Sequence, residues 1–253
     1  MNQSALVLHV PHASRVIPPE VRAGIALDDL DLTHELDRMT DSFTDLIAEQ
    51  AAKLAGVPVR VVAAPVSRLV VDVERFPDER ERMNAVGMGA IYTRTHDQRP
   101  LREHVDESLL DRWFHPHAAR VTAAVADALA ERGRVILVDL HSYPTHRLPY
   151  ELAGQHDPRP SVCLGTDPDH TPAWLVDAAR AAFDGLGTAL DSPFAGTYVP
   201  LAYYGADTRV SSLMIELRRD TYMDEKTVAP HHGLERITHR IARLLTVISG
   251  EIV

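Results

Sequence analysis

The sequence has a single cysteine, Cys163, and aromatic residues make up only 6% of its 253 positions. One cysteine cannot form an internal disulfide, so a disulfide framework is excluded. No apolar run approaches the roughly 20 residues that a membrane-spanning helix requires. The first short apolar run is also not preceded by basic residues, as it would be in a secretory signal. We therefore expect a cytoplasmic protein that does not contact membranes.

Basic residues are also scarce relative to acidic ones. The chain has 26 lysines and arginines against 36 aspartates and glutamates, so its formal net charge is −10. This charge repels phosphate backbones, and nucleic acid is not expected as a partner. No linker rich in proline, glycine and serine divides the chain. We expect one domain over residues 1–253.

Strand and helix patterns alternate along the chain. Short runs rich in β-branched residues predict buried strands at 5–10, 57–63, 68–74, 134–140 and 211–217. Helical spacing predicts helices at roughly 40–55, 106–132, 172–185 and 227–248, with Thr171 capping the third and Gly133 ending the second. The strand runs do not alternate strictly, as is typical of sheets covered on both faces. The pattern predicts one three-layer α/β/α domain with a mixed, mostly parallel sheet.

Polar residues follow several of these predicted strands. His12 comes just after the first strand, His141 ends a central one and Glu216 lies near the end of a late one. Ligands of open α/β sheets bind beyond the carboxyl ends of the strands, so these side chains are expected to share a cleft. Two imidazoles and a carboxylate suit Zn²⁺ or another divalent transition metal. Asp139 or a nearby carbonyl is expected to accept the second ring N–H of His141.

The carboxylate that completes such a site is not fixed by spacing alone. The segment HELDRMTDSFTD offers four candidates, of which the last three are four residues apart and would share a helical face: Glu35, Asp37, Asp41 and Asp45. There is also a reading without metal. With 14 histidines in the chain, most, including His115 and His117, are expected on the surface or in structural hydrogen bonds. Glu216 would then pair with Arg218 or Arg219.

Arginines supply a complementary signal for an anionic ligand. Arg68 and Arg75 flank the predicted strand 68–74, and Arg94 lies in the long aperiodic stretch 76–104, which is expected to form a wall or lid of the site. A planar guanidinium binds carboxylates at two points. The alternative is that these arginines pair with nearby acids, namely Asp72, Glu74 or Asp78.

Six segments together resemble the N-formylglutamate amidohydrolases, also called N-formylglutamate deformylases. In chain order they are VPHASRVIPPEV, MTDSFTDLIAEQAAKL, SRLVVDVERFPD, VILVDLHSYP, CLGTDPDHTP and LMIELRRDTYMDE. When the second segment is aligned with the corresponding helix of the family, Asp41 rather than Asp37 falls at the position of the metal ligand. In the third, Glu74 stands where asparagine is usual in the family. The stretch GTYVPLAYYG departs further, because it lacks an arginine and a histidine that family members often carry.

The resemblance implies a fold related to the zinc carboxypeptidases and an enzyme that hydrolyses a small acidic N-acyl amino acid. The substrate most directly implied is N-formyl-L-glutamate, cleaved to formate and glutamate in histidine catabolism. His12, Asp41 and His141 would hold Zn²⁺ or a similar ion, and Glu216 would be the general base. Arg68 and Arg75 would face the carboxylates of the substrate. In the long loop Asn84 is kept as a substrate contact, and Arg94 is expected to replace the missing cationic contact. Because of the departures, another N-acylated amino acid, a small peptide or non-catalytic metabolite binding remain alternatives.

Overall fold

The computed structural model describes residues 4–151 and 159–252. Its strands are β1 (Leu6–Val10), β2 (Arg60–Ala63), β3 (Val135–Tyr143), β4 (Val162–Gly165), β5 (Thr188–Leu190), β6 (Val210–Arg218), β7 (Met223–Asp224) and β8 (Ala229–Pro230). Its α-helices are α1 (Pro19–Arg22), α2 (Asp29–Met39), α3 (Thr44–Leu54), α4 (His115–Arg132), α5 (Ala173–Ala182) and α6 (Gly233–Ser249). None of the helices in these ranges has the length and hydropathy needed to cross a membrane.

The main sheet has six strands in the order β2-β1-β3-β6-β4-β5. The four strands β2, β1, β3 and β6 run parallel to one another. Strand β4 is antiparallel to β6, and β5 runs parallel to β4. The predicted mixed, mostly parallel sheet is therefore confirmed. Strands β7 and β8 form a separate antiparallel pair.

Helices cover both faces of this sheet, and the strand residues alternate between them. On one face Val138 packs in a core with residues of α3, α5 and α6. On the other face Leu137 packs in a second core with residues of α4, including Val125. Because both faces are apolar, the strands read as continuous hydrophobic runs rather than as alternating ones. The predicted three layers are confirmed.

The predicted strand 68–74 is wrong, because this segment forms turns that join no sheet. The hydroxyl of Ser67 accepts a hydrogen bond from the backbone N–H of Leu69, and its carbonyl accepts one from Val70, which closes a local turn. The valines of the segment are still buried, in a satellite core with Phe114. The β-branched run thus reflects burial without strand pairing.

The predicted helix 40–55 begins later than expected, at Thr44, and the preceding helix α2 was not predicted. The break between the two helices contains Asp41, whose backbone N–H donates to the carbonyl of His12 at 3.0 Å. Phe43 has a φ of 68°, in the left-handed region, which separates α3 from α2. As a result Asp37, Asp41 and Asp45 do not share one helical face, contrary to the spacing argument.

Other boundaries agree more closely with the sequence. Helix α4 ends at Gly133, which has a φ of 74°, as a C-terminal glycine should. A π-helical turn, Leu110–Phe114, precedes α4 within the predicted segment 106–132. Helix α5 begins at Ala173, with Pro172 rather than Thr171 as its N-cap. The short strands β4 and β5 were not predicted, since three or four residues carry too little periodicity.

Candidate functional site

Strand register brings the polar residues at the carboxyl ends of the parallel strands onto one sheet face. His9 of β1 lies opposite Asp139 of β3, and His141 of β3 lies opposite Glu216 of β6. These positions alternate with apolar residues that face α3 and α6, so the polar side chains share the face that α4 covers. Strand β3 can therefore stay buried and still end in Asp139 and His141, because only the face toward α4 becomes polar near its end.

His12, Asp41 and His141 converge on one point. His141 Nδ1 lies 3.2 Å from His12 Nδ1 and 3.2 Å from Asp41 Oδ2, and His12 Nδ1 lies 3.7 Å from Asp41 Oδ2. Ligand atoms of a tetrahedral zinc ion are roughly 3.3 Å apart, given metal–ligand distances of about 2.0–2.1 Å. All three side chains are buried. Their spacing fits a single divalent cation.

The carboxylates on the far side of both rings favour the same conclusion. His12 Nε2 donates to Asp72 Oδ1 at 2.9 Å. His141 Nε2 makes no hydrogen bond to the described residues, but it lies 3.2 Å from Glu74 Oε2 and 3.2 Å from Asp139 Oδ1, so two carboxylates favour a proton on this nitrogen. The two Nδ1 lone pairs and Asp41 Oδ2 then point at one another without a donor between them. Three acceptor atoms in such contact suit a bound cation.

The pKa shifts of the three residues have the same origin. Burial opposes charge on His141, but Glu74 and Asp139 raise its pKa well above the usual range. Burial and Arg68 likewise oppose charge on His12, but Asp72 and Asp41 raise its pKa. Burial works against the charge of Asp41, but His12 and His141 lower its pKa. The site therefore stabilises positive charge at its centre and an ionised carboxylate beside it.

Glu216 lies beside this cluster with its charge poorly stabilised. Its side chain is buried, and its Oε2 atom makes no hydrogen bond within the described parts of the chain. Burial, aided by the negative charge of Asp41 and opposed by His141, raises the pKa of Glu216 to about 7. A carboxylate with such a pKa can take up and release a proton near neutral pH.

Arg219 positions Asp41 and was not recognised from the sequence. Its guanidinium donates to Asp41 Oδ1 at 3.3 Å, to the carbonyl of Arg38 at 2.7 Å and to Ser142 Oγ at 3.3 Å. Arg218 instead pairs with Asp220. The hydrogen bonds and ion pairs of Arg218 and Arg219 thus go to other groups than Glu216, contrary to the reading without metal.

Arg68 and Arg75 lie on either side of Asp72. Arg68 donates to Asp72 Oδ2 at 2.8 Å and to the hydroxyl of Tyr92 at 3.0 Å. Arg75 Nε lies 3.5 Å from Asp72 Oδ2 and makes no hydrogen bond within the described residues. The alternative that these arginines pair with a nearby acid is thus correct for Asp72. Since Asp72 also accepts from His12, both guanidinium groups lie next to the cluster.

The other predicted site residues make their contacts with groups outside the cluster. Asp37 pairs with Arg15 at 2.7 Å, so Asp41 is the acid that the fold brings to the imidazoles. Asn84 is exposed and donates to the carbonyl of Asp78 at 3.0 Å. Asn84 also lines a cavity of about 230 Å³ that the stretch 76–104 helps to form. Arg94 is exposed, and its backbone bridges to Pro100.

Several residues of the site carry only weak sequence signals. Glu74 contacts the cluster through His141, although the sequence marks it only as a departure from a family pattern. His9 is fully buried inside the apolar run LVLHV, and an imidazole there requires a buried polar partner. His117, expected to be a surface or structural residue, is buried as well and contacts His9. A histidine within an apolar run, as His9 is, was thus the sequence signal that could have revealed these buried contacts.

Comparisons with known proteins bear on the family and the fold of the chain. A family model described as N-formylglutamate amidohydrolase matches residues 4–223. The crystal structure of N-formylglutamate amidohydrolase from Ralstonia eutropha JMP134 superposes with a TM-score of 0.80 at 22% identity, covering 98% of this chain and 94% of the other. A gene product of Agrobacterium tumefaciens gives 0.67 at 19% identity, covering 96% and 91%. A search of curated proteins gives no match.

Proposed function

Because the chain belongs to the N-formylglutamate amidohydrolase family, we propose that it hydrolyses the amide bond of a small acidic N-acyl amino acid with the help of a bound divalent cation. The substrate that the family supports most directly is N-formyl-L-glutamate, which gives formate and L-glutamate. The observation that carries the proposal is the convergence of His12, Asp41 and His141 beside Glu216. Zn²⁺ is the ion we favour for two imidazoles and one carboxylate.

His12, Asp41 and His141 would hold the cation through Nδ1, Oδ2 and Nδ1. When bound there, a divalent cation supplies Lewis-acid catalysis, polarising the acyl carbonyl and making water more acidic. Asp72 and Arg219 orient the ligands, since Asp72 accepts from His12 and Arg219 donates to Asp41. These hydrogen bonds keep the three ligand atoms in position when no cation is bound.

Glu216 is the proposed general base. With a pKa raised to about 7, it accepts a proton from the attacking water and returns that proton to the leaving amine. The amide C–N bond breaks as the new C–O bond forms, so one water yields one carboxylate and one free amine. Arg68 and Arg75 are partly exposed beside Asp72 and are proposed to bind the carboxylates of the substrate.

The proposal is tested by removing metal and assaying a substrate panel. The chain is treated with a chelator and assayed with N-formyl-L-glutamate, N-acetyl-L-glutamate, N-formyl-L-methionine and a dipeptide, before and after Zn²⁺ is restored. We expect N-formyl-L-glutamate to be cleaved, activity to disappear with the metal and to return with it. Full activity of the metal-free chain would refute the cation's role. Ligand-dependent stabilisation without turnover of any compound would instead identify a metabolite-binding protein.

A further inference from the structure

A line of buried polar side chains runs from the surface of α4 to the cation cluster. Arg120 Nη2 lies 3.0 Å from His117 Nδ1, and His117 Nε2 lies 2.8 Å from His9 Nε2. His9 Nδ1 lies 2.9 Å from Asp139 Oδ1, which in turn lies 3.2 Å from His141 Nε2. His9 and His117 are 0% and 1% exposed, so water does not reach the bond between them, whereas Arg120 lies at the exposed end of the line.

The guanidinium of Arg120 at one end and the carboxylate of Asp139 at the other impose the same direction on every hydrogen bond between them. A guanidinium only donates, so His117 Nδ1 must accept from Arg120. The proton of His117 is then on Nε2, which donates to His9 Nε2. The proton of His9 is therefore on Nδ1, which donates to Asp139. Burial, together with the charges of His9 and Arg120, lowers the pKa of His117 to about 2, so His117 does not gain a second proton near neutral pH.

The same order of protons decides against a second cation site. His9, Glu74 and Asp139 offer ligand atoms close enough together to hold a metal ion. Glu74 Oε1 is also buried without a hydrogen bond to the described residues. However, His9 Nδ1 would have to lose its proton to become a ligand. If that proton moved to His9 Nε2, two N–H groups would face each other, because His117 Nε2 also carries a proton. The cluster therefore works as a hydrogen-bonded support and not as a second metal centre.

Asp139 is the point where this line meets the cation site. It receives N–H groups from His9 and from the backbone of Tyr198, at 2.9 and 3.2 Å, and its Oδ1 atom faces His141 Nε2. With its carboxylate held in this way, Asp139 keeps the proton of His141 on Nε2. The Nδ1 lone pair of His141 is then left for the cation. A reversed line would turn the lone pair of His9 Nδ1 toward Asp139 and loosen this support.

We propose that Arg120 is a remote positioning residue, which fixes the tautomers of His117 and His9 and through Asp139 presents His141 Nδ1 to a single cation. This inference rests on the proposed cation site, but it concerns residues that touch neither the cation nor the substrate. Its tests therefore measure protonation and metal binding rather than turnover, so that they give a result even if no substrate is found.

The first test is ¹⁵N NMR of the wild-type chain labelled at histidine, with the His9 and His117 signals assigned from their glutamine variants. In the metal-free protein at pH 7.5 we expect a proton on Nε2 of His117 and on Nδ1 of His9. The opposite tautomer at either ring, or a doubly protonated His117, would overturn the proposal. No variant of Arg120 is needed for this measurement.

The second test is Zn²⁺ affinity by competition with a chromogenic chelator. Arg120→Met removes the donor, and we expect it to weaken binding by about 10- to 100-fold, as loss of supporting hydrogen bonds does elsewhere. Arg120→Lys retains a donor and should stay within about threefold of wild type by the same criterion. Arg60→Met is the matched control, because Arg60 is another arginine between β2 and α4, paired with Asp127 at 2.7 Å.

Three results would contradict the proposal. Wild-type affinity in Arg120→Met, an equal loss in Arg60→Met or two Zn²⁺ ions bound per wild-type chain would each do so. Arg120 also donates to the carbonyl of Ala63 at 2.9 Å, so thermal unfolding of each metal-free variant is recorded alongside. If the loss of Zn²⁺ affinity in Arg120→Met simply follows its loss of stability, and His9 and His117 keep their wild-type tautomers in that variant, the proposal is overturned.

Discussion

Environment, rather than residue type, separates the roles of the carboxylates at this site. Asp72 is buried, but His12 and Arg68 hold its pKa well below the usual range. Asp41 is likewise kept ionised by His12 and His141. Glu216 Oε2 makes no hydrogen bond to the described residues, and burial, opposed by His141, raises the pKa of Glu216 to about 7. Pairs of acids whose surroundings push their pKa values apart are typical of sites that need both a fixed charge and a mobile proton.

Glu216 and His141 should therefore fail in different ways when replaced. Glu216→Gln removes the proposed base while leaving the ligands, so turnover should fall about 10²- to 10⁴-fold with metal content unchanged. His141→Ala removes a ligand, so metal content itself should fall. Elemental analysis and kcat on the same preparations check both statements. Equal metal content in the two variants would show that the roles are assigned wrongly.

His117 should make the stability of the metal-free chain depend on pH. Its pKa is lowered to about 2 in the native state, so below about pH 6.5 the unfolded chain binds a proton there that the native chain does not. Stability is therefore present above that pH and is lost as the pH falls. Relative to His117→Gln, the wild-type chain should lose up to about 1.4 kcal/mol of unfolding free energy per pH unit between pH 6 and 5.

Urea unfolding at pH 7.5, 6 and 5 measures this difference. His115→Gln is the control, since His115 lies on the exposed side of the same helical turn and should leave the pH dependence as in the wild-type chain. If His117→Gln and wild type lose stability in parallel as the pH falls, His117 is not buried in its neutral form.

At the scale of elements, the site depends on two features of chain geometry. The break at Thr40–Phe43 turns Asp41 out of the helical path and toward His12. The parallel pairing of β3 with β6 places Glu216 next to His141. Strand β4 closes the other side of β6, with Cys163 opposite Glu216. A change that separates β4 from β6 should therefore disturb the proposed base.

Gly165, at the end of β4, is the position where such a change is easiest to make. A Cβ atom there would lie 2.1 Å from the carbonyl oxygen of Gly196 and 2.3 Å from Met214 Cε. Because one neighbour is backbone, Gly165→Ala should cost about 1–3 kcal/mol of unfolding free energy through overpacking. Gly250→Ala is the control, since among the described residues an added Cβ there meets no atom within 4 Å beyond its own helix backbone and chain neighbours. Equal urea midpoints for the two variants would show that β4 has room to move.

At the scale of the whole molecule, the cation should act as a fold-stabilising ligand. It would join three separate parts of the chain, the end of β1, the break after α2 and the end of β3, which come together only in the native state. At 100 times its Kd, Zn²⁺ should add about 2.7 kcal/mol. For a chain of this size that corresponds to a rise in Tm of about 5–10 °C.

Thermal unfolding of the chelator-treated chain, with and without added Zn²⁺, measures this rise. His141→Ala should lose the rise, and Mg²⁺ at the same concentration should give little of it, because Mg²⁺ prefers oxygen ligands. A rise that persists in His141→Ala would place the ion elsewhere in the molecule.

The layered sheet and most of the central site could be predicted from the sequence alone. Buried strand runs alternating with amphipathic helices predict helices on both faces of the sheet, because both faces must be kept from water. The order of polar residues at strand ends, with the family resemblance, named His12, Asp41, His141 and Glu216, and the structure brings all four together. For His12, His141 and Glu216 the signal is local, carried by residues within a few positions of a strand end, whereas Asp41 was identified by the family resemblance.

The supporting contacts were decided only by the tertiary structure. These contacts join residues far apart in the chain. Asp72 pairs with His12, Arg219 donates to Asp41, and the line of polar side chains runs from Arg120 to Asp139. The sequence patterns also wrongly predicted a strand at 68–74 and a helix beginning at residue 40. The reason is that hydrophobic periodicity indicates burial and does not indicate hydrogen-bond pairing. Which donor meets which acceptor depends on strand register and helix packing, and these are properties of the folded chain as a whole.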